Sequence, residues 1–271
     1  MIDLRQGDCL EIMKDIQNGS IDMIITSPPY DNLRVYKNAV EWNFSIFQEI
    51  AKELYRVLKK GGVLVWIIGD STVNGTESGS SFKQALYFKE LGFNIHDTMI
   101  YEKNTSTFPA RTNGIRYTQI FEYMFVFSKG RPCTANLICD KKNKWGGVTT
   151  WGASWNRNKA DVLVKGDKKT TIKEYSPRNN IWCYKVGRGN NKGKGGIKDH
   201  PAVFPLDLAK DHIKTWSLEG DLVLDPFMGS GTTGIACKEL NRNFIGIEIV
   251  EDYFNYARDR MTEGEQLEIC Y

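Results

Sequence analysis

Two short runs combine residue types that can do chemistry. The first is Ser27-Pro28-Pro29-Tyr30. Consecutive prolines stiffen the backbone and offer carbonyls without N–H donors. The turn therefore presents the Ser27 hydroxyl, the Pro28 carbonyl and the Tyr30 ring as one rigid group, although a generic proline turn uses the same letters. The second run is Asp225-Pro226-Phe227-Met228-Gly229-Ser230-Gly231-Thr232-Thr233-Gly234. Its glycines follow the G-x-G-x-x-G spacing, which lets backbone approach a ligand at the start of a helix but by itself equally suggests a dinucleotide site. No lysine follows the glycines, which argues against a Walker-type phosphate loop. Glu248 ends the next apolar run, where a carboxylate can accept hydrogen bonds from ribose hydroxyls. On these residues alone a nicotinamide-dependent oxidoreductase stays open.

The elements around these runs must hold them in place. Residues 21–26 are an apolar run ahead of Ser27, the pattern of a strand covered by helices on both faces. A helical stripe follows over 41–60 and is expected to stop at Gly61-Gly62. The pattern continues with a strand over 63–68, a helix over 81–91 and strands over 95–101 and 121–127. After residue 200 it resumes: helix 205–217, strand 222–225, helix 232–241, strand 244–248 and helix 251–261. Both chemical runs then lie at carboxyl ends of strands, where open α/β sheets bind ligands. The expected fold is α/β, a doubly wound, mostly parallel, Rossmann-like sheet built from both ends of the chain.

Residues 129–198 break this rhythm. They carry 17 lysines and arginines against 4 acidic residues, a net +13 in a chain of net +3, so the remainder carries −10. Trp145, Trp151, Trp155 and Trp182, four of the seven tryptophans, fall in this window. Cations interleaved with aromatics suit phosphate contact and base stacking; on charge alone a solvated basic loop reads the same. The glycine-rich stretch 187–196 shows little hydrophobic patterning. A length of 271 residues supports one core with a small appended domain. No apolar run is long enough to span a membrane, and the N-terminus has no secretory h-region, so a cytoplasmic location is expected. The six cysteines form no CxxC pair and only three histidines exist. Reduced, structural thiols and no metal site are expected.

Ser-Pro-Pro-Tyr after one buried strand, with Asp-Pro-Phe-x-Gly-Ser-Gly-Thr-Thr after another, resembles the amino-methyltransferase family of DNA. The order of catalytic tetrapeptide, basic insert and cofactor loop is similar to the β group of that family. Further matches are GDCLEIM (7–13), VLKKGGVLVW (57–66), EYMFVFSKG (122–130) and HPAVFPLDLA (200–209), which together cover nearly the whole chain outside the insert. The resemblance implies a catalytic domain of 1–128 with 199–271, and a target-recognition insert of 129–198. It implies that Asp225, Pro226, Phe227, Gly229, Ser230, Gly231, Thr232 and Thr233 line a pocket for S-adenosylmethionine. Glu248 would bind the ribose, and Asp8 with Cys9 would approach the adenine. The segment from His200 and Pro201 through Phe204 would lie against the methionine portion, although Asp8 and His200 also read as turn and loop residues.

The implied reaction moves a methyl group to the exocyclic amine of a flipped base. Ser27 Oγ and the Pro28 carbonyl would accept from the amino protons, Pro29 would stiffen the turn, and Tyr30 would stack on the base. In this family Ser at the first motif position is frequent in cytosine-N4 enzymes, so cytosine is favoured, with adenine-N6 as the alternative. The loop 31–38 reads either as a cover for the base or as a connector. The partner implied is double-stranded DNA, with room for a homodimer and for a cognate restriction endonuclease, and a place on the nucleoid when DNA is bound. RNA as substrate and a non-catalytic DNA-binding module are the remaining rivals.

Overall fold

The computed structural model describes residues 1–29, 42–103, 117–150, 155–165, 170–185 and 205–266. In chain order the main elements are β1 (Ile2–Gln6), α1 (Cys9–Met13), β2 (Ile21–Thr26), α2 (Phe44–Val57), β3 (Leu58–Ile68), α3 (Ser80–Glu90), β4 (Asn94–Lys103) and β5 (Phe121–Ser128). They continue with β6 (Ile181–Tyr184), α4 (Leu206–Trp216), β7 (Leu222–Asp225), α5 (Thr232–Glu239), β8 (Asn243–Glu248) and α6 (Glu251–Gln266). The eight strands form one sheet in the order β1-β8-β7-β2-β3-β5-β4-β6. Only β5 runs against its neighbours, pairing antiparallel with β3 and β4.

The inner strands are apolar on both sides because helices cover both faces. Every residue of β2 except Asp22 is buried. On one face α2 presents Phe47, Ile50, Ala51, Leu54 and Val57 to the sheet, a helical stripe of i, i+3, i+4 spacing. Its start is fixed by Asn43, whose Oδ1 accepts from the Ile46 amide at 3.0 Å. On the other face α4 buries Leu208, Ala209, His212 and Ile213. Each large side chain buried this way contributes about 1.5–3 kcal/mol.

Winding reverses between β7 and β2. From β2 the chain crosses through α2 to the neighbouring β3, and from β7 it crosses through α5 to β8 on the opposite side. At such a switch point the carboxyl-end loops diverge and leave a crevice. The doubly wound, mostly parallel sheet expected from sequence is the observed architecture.

Several local expectations change. Helix α2 ends at Val57, and β3 starts at once with Leu58. Gly61 and Gly62 therefore lie inside a strand, not at a helix cap. A Cβ on Gly62 would lie 2.9 Å from the Asp22 carbonyl, and Gly61 has φ +84°, so close backbone approach explains the pair. Strand β1 was not expected: it pairs only with β8 along one edge and is nowhere fully buried. Strand β6 was not expected either, because it lies within the basic window.

The chain forms two compact units, one of residues 137–179 and a larger one of 1–136 with 180–271, a narrower division than 129–198. Residues 180–185 belong with the larger unit because β6 pairs in parallel with β4. Trp182 is accordingly buried in β6, with its ring 4.7 Å from that of His212. It is a core residue, not part of an exposed stacking surface. Among the described residues the smaller unit holds three two-stranded ribbons: 141–142 with 175–176, 149–150 with 170–171, and 155–157 with 163–165. It carries ten lysines and arginines against four acidic residues, a net charge of +6. Trp151, the 31–38 loop and the 187–196 stretch lie outside the described residues.

Candidate active site

Three strand ends meet at the switch point. Asp225 closes β7 and is almost fully buried. Its Oδ1 accepts from Thr26 Oγ1 at 2.6 Å and from the Phe227 amide at 3.1 Å, and its Oδ2 accepts from Thr233 Oγ1 at 2.6 Å. Thr26 is the residue before Ser27, so one carboxylate joins the two chemical runs across 199 positions of sequence. Burial pushes the Asp225 acid up to about 6, and the three donors only partly offset that rise.

The loop after Asp225 is held by its backbone. The Met228 amide donates to the Ile247 carbonyl at 2.8 Å, and the Gly231 amide donates to the Met228 carbonyl at 2.9 Å. Gly229 and Gly231 have φ of +52° and +80°, the left-handed region that side chains disfavour. Gly231 caps α5 without a side chain. The third glycine of the fingerprint has a packing role: a Cβ on Gly234 would lie 2.8 Å from the Phe244 ring and 2.4 Å from Met261 Cε. Ser230 and Thr232 face each other with hydroxyls 3.4 Å apart.

Glu248 ends β8 and is 8% exposed. Its Oε2 accepts from the Gly229 amide at 2.8 Å and its Oε1 from the Val250 amide at 2.9 Å. Each oxygen keeps a second lone pair for a ligand hydroxyl. Burial is the main cause raising its acid, and neighbouring Asp225 adds to the rise. The Gly7 amide donates to the Glu248 carbonyl at 2.9 Å, which brings the start of α1 to the same edge. There Asp8 accepts from the Leu10 amide at 2.7 Å as the cap of α1. Burial, with Asp8 beside it, pushes the Cys9 thiol up to about 12. A thiol held protonated is a packing group, not a nucleophile.

Ser27 and Pro29 are half-buried and Pro28 is buried, directly beyond β2. Phe227 meets Trp42 edge-on at 5.6 Å and Trp66 at 6.3 Å. Trp42 and Thr26 were not anticipated from sequence, because neither stands in a recognisable spacing. Asp70 was also missed. It lies just past β3, is 7% exposed, and its Oδ1 accepts from the Ser81 amide at 2.9 Å at the start of α3. A buried acid after an apolar strand, the same signal as Asp225, would have identified it. Tyr30, His200, Pro201 and Phe204 lie outside the described residues.

The donor set of this edge suits a ligand with free ribose hydroxyls. Residues 225–234 contain no cation, and the Asp225 carboxylate is near enough to raise the Glu248 acid. S-adenosylmethionine has no phosphate, carries positive charge at sulfur, and offers ribose hydroxyls as donors to Glu248. The residues fit it.

Comparison with known proteins agrees with this chemistry. The DNA methylase family that covers N6 and N4 enzymes matches residues 21–259. The chain is 50% identical over 248 residues to the orphan methyltransferase M.BamHII of Bacillus amyloliquefaciens, covering 92% of this chain and 91% of that one. It is 28% identical to the type II methyltransferase M.HpaI of Haemophilus parainfluenzae, over 94% and 72% of the two chains. Among solved structures, M1.HpyAVI in its complex with S-adenosylmethionine superposes with a TM-score of 0.62 at 27% identity, over 96% of this chain and 99% of that one. The cytosine-N4-specific PvuII DNA methyltransferase shares the fold, with a TM-score of 0.70 at 22% identity over 96% and 86%. With a family match spanning both strand-end runs and the residues between them, the chain belongs to the N6/N4 DNA methylase family of amino methyltransferases.

Proposed function

We propose that the chain transfers a methyl group from S-adenosylmethionine to the exocyclic amine of a base flipped out of duplex DNA, with cytosine N4 as the favoured acceptor. The observation that carries this reading is the 2.6 Å bond from Thr26 to Asp225, which fastens the Ser27 turn to the cofactor loop. When bound, the cofactor supplies a methyl carbon made electrophilic by its sulfonium. Glu248 accepts from the ribose hydroxyls through the lone pairs that Gly229 and Val250 leave open. Asp8 and Cys9 border the adenine. Phe227, braced by Trp42 and Trp66, provides a ring for the cationic sulfur.

The amino nitrogen of a base is a weak nucleophile because its lone pair is delocalised into the ring. Ser27 Oγ and the Pro28 carbonyl accept hydrogen bonds from its protons and localise that lone pair on nitrogen. The Asp225 clamp, with Pro226, Ser230, Thr232 and Thr233 around it, holds the reactants in line, which replaces a bimolecular encounter with a positioned one. Asp225 is occupied by three protein donors and serves as this clamp, not as a base. No strong base is required, because the methylated amine sheds its proton to solvent. Flipping the base costs a few kcal/mol. Phosphate contacts from the +6 unit of residues 137–179 offset that cost.

The test is methylation of duplex DNA by the purified chain with labelled cofactor, followed by nucleoside analysis. N4-methylcytosine is expected. N6-methyladenine would overturn the base assignment and keep the reaction class. Label entering RNA in preference to duplex DNA, or no label in any nucleic acid, would overturn the DNA reading itself.

A further inference from the structure

The ribbon of residues 155–165 is built unlike a solvated loop. Trp155–Arg157 pairs antiparallel with Leu163–Lys165, and Arg157 stands opposite Leu163. The turn between them is tightly held. Asn158 Oδ1 accepts from the amides of Ala160 at 2.9 Å and Val162 at 3.1 Å, and the Asn158 amide donates to the Val162 carbonyl at 2.9 Å. Asp161 takes a left-handed φ of +59° to close it. On this stiff ribbon Trp155, Val162, Leu163 and Val164 are all about half exposed or more, from 46% to 63%. Four exposed apolar side chains in eleven residues are costly in water unless something covers them.

Arg157 decides what that something is. Its Nη1 donates to Asp161 Oδ2 at 2.8 Å and to the Asp161 carbonyl at 3.2 Å. This pair costs little to keep and contributes little stability, because both partners are well exposed. It does aim the guanidinium: one nitrogen is anchored, and Nε and Nη2 make no hydrogen bond among the described residues. A planar two-donor edge matches guanine O6 and N7, and the major groove admits a two-stranded ribbon. Apolar side chains beside it suit thymine methyl groups. The surrounding unit is positively charged, the complement of a polyanion.

The geometry points to the 155–165 ribbon as the element that enters the major groove and reads sequence, with Arg157 reading a guanine. This rests on duplex DNA being the substrate and names the side chains that choose the site. Arg157 is thereby a specificity-determining residue, not a catalytic one.

The test uses the full chain with S-adenosylmethionine and unmethylated bacterial genomic DNA, and methylated positions are mapped by single-molecule sequencing. Duplex binding against salt and mass by light scattering are measured in parallel for wild type, Arg157→Ala, Arg157→Lys and Trp155→Ala. Arg157→Ala should relax discrimination at one G·C position by about tenfold to a hundredfold. Arg157→Lys should keep the salt dependence without restoring that discrimination, because an ammonium cannot span O6 and N7 as a planar fork does. An unchanged site preference in Arg157→Ala would overturn the assignment. Full restoration by lysine would also overturn it, since a phosphate contact needs only the charge. So would a drop in mass on Trp155→Ala, which would make a second copy of the chain the ribbon's partner. A wild-type chain that methylates no DNA would refute the function together with the ribbon, and that control separates the two failures.

Discussion

Replacing Asp225 with asparagine should stabilise the cofactor-free protein at neutral pH and leave it unchanged at low pH. The substitution keeps the shape: the amide oxygen can accept from Thr26 and Phe227, and the amide nitrogen can donate to Thr233 after that hydroxyl rotates. What it removes is a desolvated charge. Burial raises the folded-state acid from 3.8 to about 6, so between those pH values the unfolded chain is ionised while the folded chain still holds the proton. Wild-type stability therefore falls as pH rises through this window and levels off above it. At 1.36 kcal/mol per unit, the loss is about 3 kcal/mol at most. Urea unfolding of wild type and Asp225→Asn at pH 4 and pH 7.5 measures it directly. The variant's advantage should grow by that amount across the interval. A difference that stays constant, or that shrinks with rising pH, would refute the view that ionised Asp225 is held at a cost for its position at the switch point.

Other perturbations address separate parts of the site. Ser27→Ala should lower kcat about a hundredfold, comparable to losing one transition-state hydrogen bond, with cofactor affinity by calorimetry unchanged; full turnover would remove Ser27 from the mechanism. Glu248→Gln should weaken cofactor binding about tenfold or more, because its amide nitrogen can accept neither from a ribose hydroxyl nor from the backbone amide that a carboxylate oxygen serves. Equal affinity would place the ribose elsewhere. His212 is fully buried, and desolvation lowers its imidazolium to about 3. The unfolded chain binds this proton from 6.5 downward, so wild type loses up to about 5 kcal/mol between pH 6.5 and 3. His212→Leu should be spared that acid loss, which parallel acid titrations would reveal.

The inner strands were legible in the sequence, because strands covered on both faces carry apolar runs, as residues 23–25 of β2, 63–68 of β3 and 222–224 of β7 do. The sequence also determined that Ser27-Pro28-Pro29 and Asp225–Gly234 follow such strands, since both motifs are contiguous and end apolar runs. Two edge strands were illegible: β1 alternates charge along an edge, and β6 sits within a basic window whose composition concealed Trp182 as a core side chain. Gly61-Gly62 looked like a helix stop because a helix cap and a close strand approach both select glycine. Three-dimensional packing alone brings Thr26 to Asp225, sets Phe244 and Met261 against Gly234, and buries Asp70 against α3. Each of these is a contact between residues distant in sequence, or a matter of what surrounds a residue. Residue type and local spacing carry chemistry and periodicity; which strand lies beside which is settled by how the whole chain packs, and the site exists only where two such strands become neighbours.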